Sequence, residues 1–128
     1  MKIANVKKKE KALKRLTELL NSDNVVVVVE GKRDKTALQT VGLANDNIIA
    51  VSPRKLDEIY SFVEGKKAVI LTDFDSAGNK LAKRVNDYLQ SSNVNVDFES
   101  RKKFKWIFPV QTVEELPSVY AEFVSQIR

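Results

Sequence analysis

The chain contains no cysteine and no histidine. The first absence excludes disulfide frameworks, thiolate zinc sites and cysteine nucleophiles, and makes a reducing cytoplasm the expected compartment. The second excludes Ser-His-Asp catalysis, imidazole-bound metals and a histidine pH switch. Long apolar runs are also missing. The longest, Val25 to Val29, is far below the ~20 residues that span a bilayer, and the lysine-rich start has no apolar signal core. The expectation is a soluble protein, neither exported nor membrane-bound. Any chemistry must rest on carboxylates, Lys, Arg, Ser, Thr or Tyr, with help from a hard metal ion.

What is present suits one folded domain: 128 residues, 43% of them hydrophobic, enough for a core of Val, Ile and Leu. Lys and Arg number 22 against 17 Asp and Glu, a formal charge of +5. Lys2, Lys7, Lys8, Lys9, Lys11, Lys14 and Arg15 stand against only Glu10 and Glu18 in residues 1–20, so that stretch holds the whole excess. Attraction for phosphate elsewhere must come from local clusters. The candidates are Lys32, Arg33 and Lys35; Arg54; Lys80, Lys83 and Arg84; and Arg101, Lys102 and Lys103.

Val6, Leu13, Leu16 and Leu20 recur at helical spacing, which predicts an amphipathic basic helix within residues 1–24, packed on the domain that follows. Five consecutive valines with no polar alternation read as a strand covered on both faces, the mark of a parallel sheet flanked by helices. A short helix through Ala37, Leu38 and Val41 leads to a second apolar strand, Ile48 to Val51. A helix with Leu56, Ile59, Phe62 and Val63 inward precedes the strand Ala68 to Leu71. Leu81, Ala82, Val85 and Leu89 then form a helix before a fourth strand through Val94, Val96 and Phe98. This order predicts a three-layer, Rossmann-like α/β fold with a mainly parallel sheet of about four strands. Toward the end, Phe104, Trp106 and Phe108 suggest one face of an edge strand. Thr112-Val113-Glu114-Glu115 is a capping-box pattern opening a last helix, with Pro117 as a disturbance.

Acids occur where strands should end: Glu30 directly after the valines, and Asp73 and Asp75 after Ala-Val-Ile-Leu-Thr. In open α/β sheets the ligand crevice lies beyond the carboxyl ends of the strands, so the three acids converge if strands one and three are neighbours. Carboxylates held together repel, and a cation is the simplest reason to build such a group. With only oxygen donors the ion should be Mg²⁺ or Mn²⁺. Solvated loop acids are the competing reading. Gly31 and Gly78 favour a site, because glycine allows close backbone approach or a positive φ.

At these residues the sequence resembles the Toprim domain of primases, type IA and type II topoisomerases, the ribonuclease that matures 5S ribosomal RNA, and OLD-family and recombination-repair proteins. Val-Val-Val-Glu30-Gly31-Lys32-Arg33-Asp34 is similar to the family's E-G-x-x-D. Leu71-Thr72-Asp73-Phe74-Asp75-Ser76-Ala77-Gly78 is similar to its D-x-D-x-x-G. The resemblance spans about residues 25–98, with residues 25–128 as the domain and its C-terminal extension, and is nearest to small stand-alone archaeal Toprim proteins and to the ribonuclease and primase types. It implies Mg²⁺ held by Asp73 and Asp75 with Glu30 beside them, Glu30 as general acid or base in phosphoryl transfer, and support from Gly31, Asp34 and Gly78. Ser76-Ala77-Gly78 stands where the topoisomerases carry another acid, and no tyrosine-bearing breakage domain, zinc domain or polymerising domain fits in the chain.

Three functions follow as expectations. The first is Mg²⁺-dependent phosphodiester chemistry on RNA or DNA, as nuclease-type cleavage, with the basic clusters holding flanking phosphates. The second is a nucleic-acid-binding or scaffolding module without turnover, working with a protein partner or a second copy. The third is a phosphatase or receiver domain, disfavoured because the D-x-D follows the third strand and not the first.

Overall fold

A computed structural model describes residues 3–127; Lys2, counted above among the cations, lies outside them. The elements are α1 (Ile3–Leu20), β1 (Val25–Val29), α2 (Lys32–Thr40), β2 (Ile48–Ala50), α3 (Leu56–Val63), β3 (Lys67–Ile70), α4 (Ser76–Ser91), β4 (Asn95–Val96), α5 (Glu99–Ile107) and α6 (Leu116–Ile127), with short 3₁₀ turns at Asn45–Asn47 and Val113–Glu115. The four strands form one sheet in the order β2-β1-β3-β4, and every pairing is parallel.

The valine run shows why the sheet must be sandwiched. Side chains alternate faces along a strand. Val25, Val27 and Val29 accordingly join one apolar layer with Leu16 and Leu20 of α1, Leu38 of α2, Phe104 of α5 and Phe123 of α6. Val26 and Val28 join the opposite layer with Ile59 and Val63 of α3 and Val85 and Leu89 of α4. The chain therefore crosses from β1 to β2 over one face and from β2 to β3 over the other. That reversal puts the switch in winding between β1 and β3, the central pair, where the crevice rule places a ligand site.

Two expectations are corrected. The segment holding Phe104, Trp106 and Phe108 is helical and not an edge strand. Its buried side chains, Arg101, Phe104, Ile107 and Phe108, follow three- and four-residue spacing, while Trp106 is 46% exposed with Lys9 5.4 Å from its ring centre. In α3, Ile59 and Val63 form the buried stripe; Phe62 lies beside it, 49% exposed. The capping pattern at Thr112 is present, with Glu115 Oε1 accepting from Thr112 N at 3.2 Å. Pro117 leaves α6 intact because it occupies the first turn, where no intrahelical donor is lost.

Candidate functional site

β1 and β3 pair in register up to Val28 and Ile70, so the residues that follow each strand emerge side by side. Glu30 Oε1 accepts a hydrogen bond from Asp73 N at 3.1 Å, which ties the two strand ends together. Asp73 Oδ1 accepts from Val113 N at 2.8 Å, and Phe74 N donates to Gln111 O at 2.8 Å, so the segment before α6 forms one wall of the site. Asp75 caps α4, its Oδ1 accepting from Gly78 N at 2.8 Å. Asp34, in the first turn of α2, accepts from Gly31 N at 3.1 Å through Oδ2.

The loop between β3 and α4 is folded back tightly enough to require one particular glycine. A Cβ at Gly78 would collide with the Asp73 carbonyl and lie 2.7 Å from the Asp73 Cβ. The Gly78 carbonyl also accepts from the buried Thr72 Oγ1 at 2.8 Å. Gly31 differs: its φ of −147° is ordinary extended backbone and a Cβ there would meet nothing within 4 Å. Neither glycine has a positive φ, and the close approach at Gly78 is to the chain's own Asp73.

The electrostatics follow from crowding acids around half-buried backbone. Burial raises the Glu30 carboxyl above its ordinary range; the Asp73 N–H bond opposes this, and the Asp73 and Asp75 charges add to it. Asp34, 6% exposed, is raised to about 6, first by burial and then by Asp73, Glu30 and Glu114, against the Gly31 N–H bond. Glu114, read from the sequence only as part of a capping box, adds its charge to this site from the 3₁₀ turn that leads into α6.

Arg101 overturns an expectation. Read as a phosphate contact in a basic run, it is instead 4% exposed. Its Nη1 donates to Ile70 O at 3.2 Å and Thr72 O at 2.8 Å, and its Nη2 to Asp73 O at 2.8 Å and Asn79 Oδ1 at 2.9 Å. The guanidinium carbon stands 4.5 Å from the centre of the Phe74 ring. Burial lowers its pKa to about 10, with Glu30 and Asp73 pulling the other way. It holds the Asp73 loop in shape and offsets its negative charge from behind.

The other expected cations divide by location. Lys32, Lys35 and Arg54 line a cleft at the β2 edge, together with Lys66, which no sequence signal marked. Arg33, Lys80, Lys83, Arg84, Lys102 and Lys103 are exposed and lie apart from that cleft. Lys83 is engaged with Asp87 at 2.9 Å and Lys102 with Glu99 at 3.2 Å.

Among the described residues no three acidic side chains stand arranged as a ready metal cage. Mg²⁺ commonly takes only one or two protein carboxylates and keeps several waters. Glu30 Oε2, Asp73 Oδ2 and Asp75 Oδ2 accept no hydrogen bond from the described residues, leaving one oxygen on each acid for such an ion. The donor set is all oxygen and the charges repel, so the residues fit a hard divalent cation in chemistry, without a preformed three-carboxylate geometry.

No family model matches the chain. It is 36% identical over 118 residues to a UPF0292 protein of Thermococcus sibiricus, covering 90% of this chain and 93% of the relative. A UPF0292 protein of Pyrococcus furiosus is 38% identical over 104 residues, 80% of this chain and 75% of its own length. One from Methanosarcina barkeri is 30% identical over 129 residues, 92% and 86% of the two chains. A solved protein structure from Aquifex aeolicus superposes with a TM-score of 0.71 at 28% identity, covering 83% of this chain and 95% of that one. With such identity over nearly the full length of its relatives, this chain belongs to the UPF0292 protein family.

Proposed function

We propose that this protein carries out divalent-metal-dependent phosphodiester chemistry on nucleic acid, as a nuclease of the Toprim type. The observation that carries the reading is the meeting of Glu30, Asp73 and Asp75 at the carboxyl ends of β1 and β3, with Glu30 bonded to Asp73 N at 3.1 Å. The resemblance of the Glu30-Gly31 and Asp73-to-Gly78 segments to the Toprim motifs supports it.

Asp73 and Asp75, with Glu30 adjoining, would hold Mg²⁺ or Mn²⁺ through their remaining oxygens. Such an ion supplies neutralisation of charge on the scissile phosphate and its leaving oxygen. Glu30 handles the proton: its carboxyl is raised by burial and by neighbouring acids, which brings it closer to the pH at which a carboxyl serves as an acid or base. Lys32, two residues beyond Glu30, is exposed and can hold a flanking phosphate. Arg101 offsets the mutual repulsion of the acids and holds the loop carbonyls of Thr72 and Asp73.

A second reading has one observation in its favour. Glu30, Asp73 and Asp75 each already accept a backbone hydrogen bond, an arrangement that also serves a binding module without turnover. End-labelled single-stranded, duplex and structured RNA and DNA, incubated with Mg²⁺ or Mn²⁺ at low salt, separate the two. Asp75→Asn keeps the acceptor that caps α4 and removes the charge. The expected result is cleavage by the wild type, abolished by EDTA and reduced at least a hundredfold in Asp75→Asn. Undiminished cleavage by the variant would sink the site assignment, and binding without cleavage by the wild type would favour the module.

A further inference from the structure

We infer that the cleft along the outer edge of β2 binds a single strand of nucleic acid, its phosphates on the lysines and an unpaired base on the Arg54–Phe62 platform. The inference rests on the nucleic-acid reading above and names the form of the substrate. The cleft has a volume of about 360 Å³ and lies between α2 and α3, outside the carboxylate site. Lys32 and Lys35 come from α2, Arg54 from the turn before α3, and Lys66 from the turn after it, against one acid, Asp46. That is a local surplus of three positive charges in a segment of the chain, residues 21–128, whose net charge is close to zero. Among the described residues no ion pair neutralises Lys32, Lys35, Arg54 or Lys66. Cations of one sign on both walls of a cleft focus a field that draws anions.

The aromatic group decides which polyanion fits. Phe62 is 49% exposed, and the Arg54 guanidinium carbon lies 5.2 Å from its ring centre while its Nη1 is anchored to Ala50 O at 3.1 Å. An exposed ring beside an anchored planar cation offers a flat surface on which an unpaired base stacks. A duplex keeps its bases stacked inside, so only an unpaired strand uses both the ring and the lysines. Among the described residues β2 pairs with β1 alone, and no strand covers its other edge. An acidic peptide adding to that edge would use the lysines and not the ring, and it is tested as the rival. Lys32 lines this cleft and opens α2, two residues beyond Glu30.

The test is fluorescence anisotropy in EDTA at low salt, so that binding is read without turnover. The probes are labelled twelve-residue oligo-dT and oligo-U, a duplex of equal length, and polyglutamate as competitor. Expected is tighter binding of the single strands than of the duplex. Lys35→Glu/Lys66→Glu should weaken binding at least tenfold and lower the salt slope by more than one, since each phosphate no longer neutralised removes about 0.7 from the slope. Phe62→Ala should weaken it roughly tenfold with an unchanged slope, as expected for one lost stack. Equal affinity of the wild type and both variants for single strands would overturn the inference. So would a Phe62→Ala protein that binds normally while polyglutamate competes as well as oligo-dT. A wild-type protein that binds single strands through the cleft but never cleaves them refutes the catalytic reading alone. Cleavage that survives intact in the cleft variants refutes the cleft alone.

Discussion

Asp34 carries the clearest single-residue consequence. Its carboxyl is raised from 3.8 to about 6, by burial first and then by Asp73, Glu30 and Glu114. Between about pH 4 and pH 6 the folded chain thus binds a proton at Asp34 that the unfolded chain has already released. The stability contribution of this group therefore falls as pH rises through that window and stays lost above it. Asp34→Asn keeps an acceptor for Gly31 N–H without the charge. In metal-free buffer the variant should match the wild type near pH 4 and be more stable at pH 7 by on the order of 1–3 kcal/mol. Urea midpoints at pH 4, 5, 6 and 7 measure this, and a variant less stable at pH 7 would contradict it. Asp34 stands out in the sequence only as part of a motif; the 3₁₀ turn that packs against α2 and brings the Glu114 charge near it lies eighty residues further along.

At the scale of elements, α5 marks the limit of local sequence patterns. Phe104, Trp106 and Phe108 fit a strand's period of two, yet Phe104 and Phe108 fit a helix equally, and the helix is what lets Arg101 reach the carbonyl of Ile70, which ends β3, and those of Thr72 and Asp73 beyond it. Within a run of Arg101, Lys102 and Lys103 nothing local distinguishes the one buried cation from its exposed neighbours. The distinction is tertiary: buried carbonyls at Thr72 and Asp73 need donors, and a forked guanidinium supplies them in one plane. Arg101→Lys should therefore not rescue the site. We predict a loss of about 2–4 kcal/mol in urea unfolding for the lysine variant, since one ammonium cannot satisfy the same set of acceptors. A change below about 0.5 kcal/mol would show that the loop holds itself. The outward position of Phe62 has a related cause. Ile59 and Val63 form the inward stripe of α3 with Leu56 and Tyr60 packed beside them, and Phe62 falls on the outward side.

Across the whole molecule, the layers are legible in the sequence because hydrophobic patterning dictates them. Five unbroken valines require cover on both sides, and helices alternating with strands provide it. The position of the acids is legible too, because Glu30 and Asp73 each follow an apolar strand and the winding reverses between those strands. The cleft at the β2 edge is only half legible, since Lys32, Lys35 and Arg54 are local features while Phe62 and Lys66 join them only through folding. Among the described residues no helix is long and apolar enough to cross a membrane. The basic α1 does not form a separate arm, because Leu16 and Leu20 are part of the core shared with α5 and α6.

The proposed chemistry depends above all on whether the acids at the ends of β1 and β3 hold a divalent cation. Titration of Mn²⁺ against the protein, with free ion counted by electron paramagnetic resonance, tests this without any assumption about substrate. One bound ion per wild-type chain is expected, with at least tenfold weaker binding in Asp75→Asn, whose α4 cap is retained. Absence of a bound ion in the wild type, or equal affinity in the variant, would contradict the metal site.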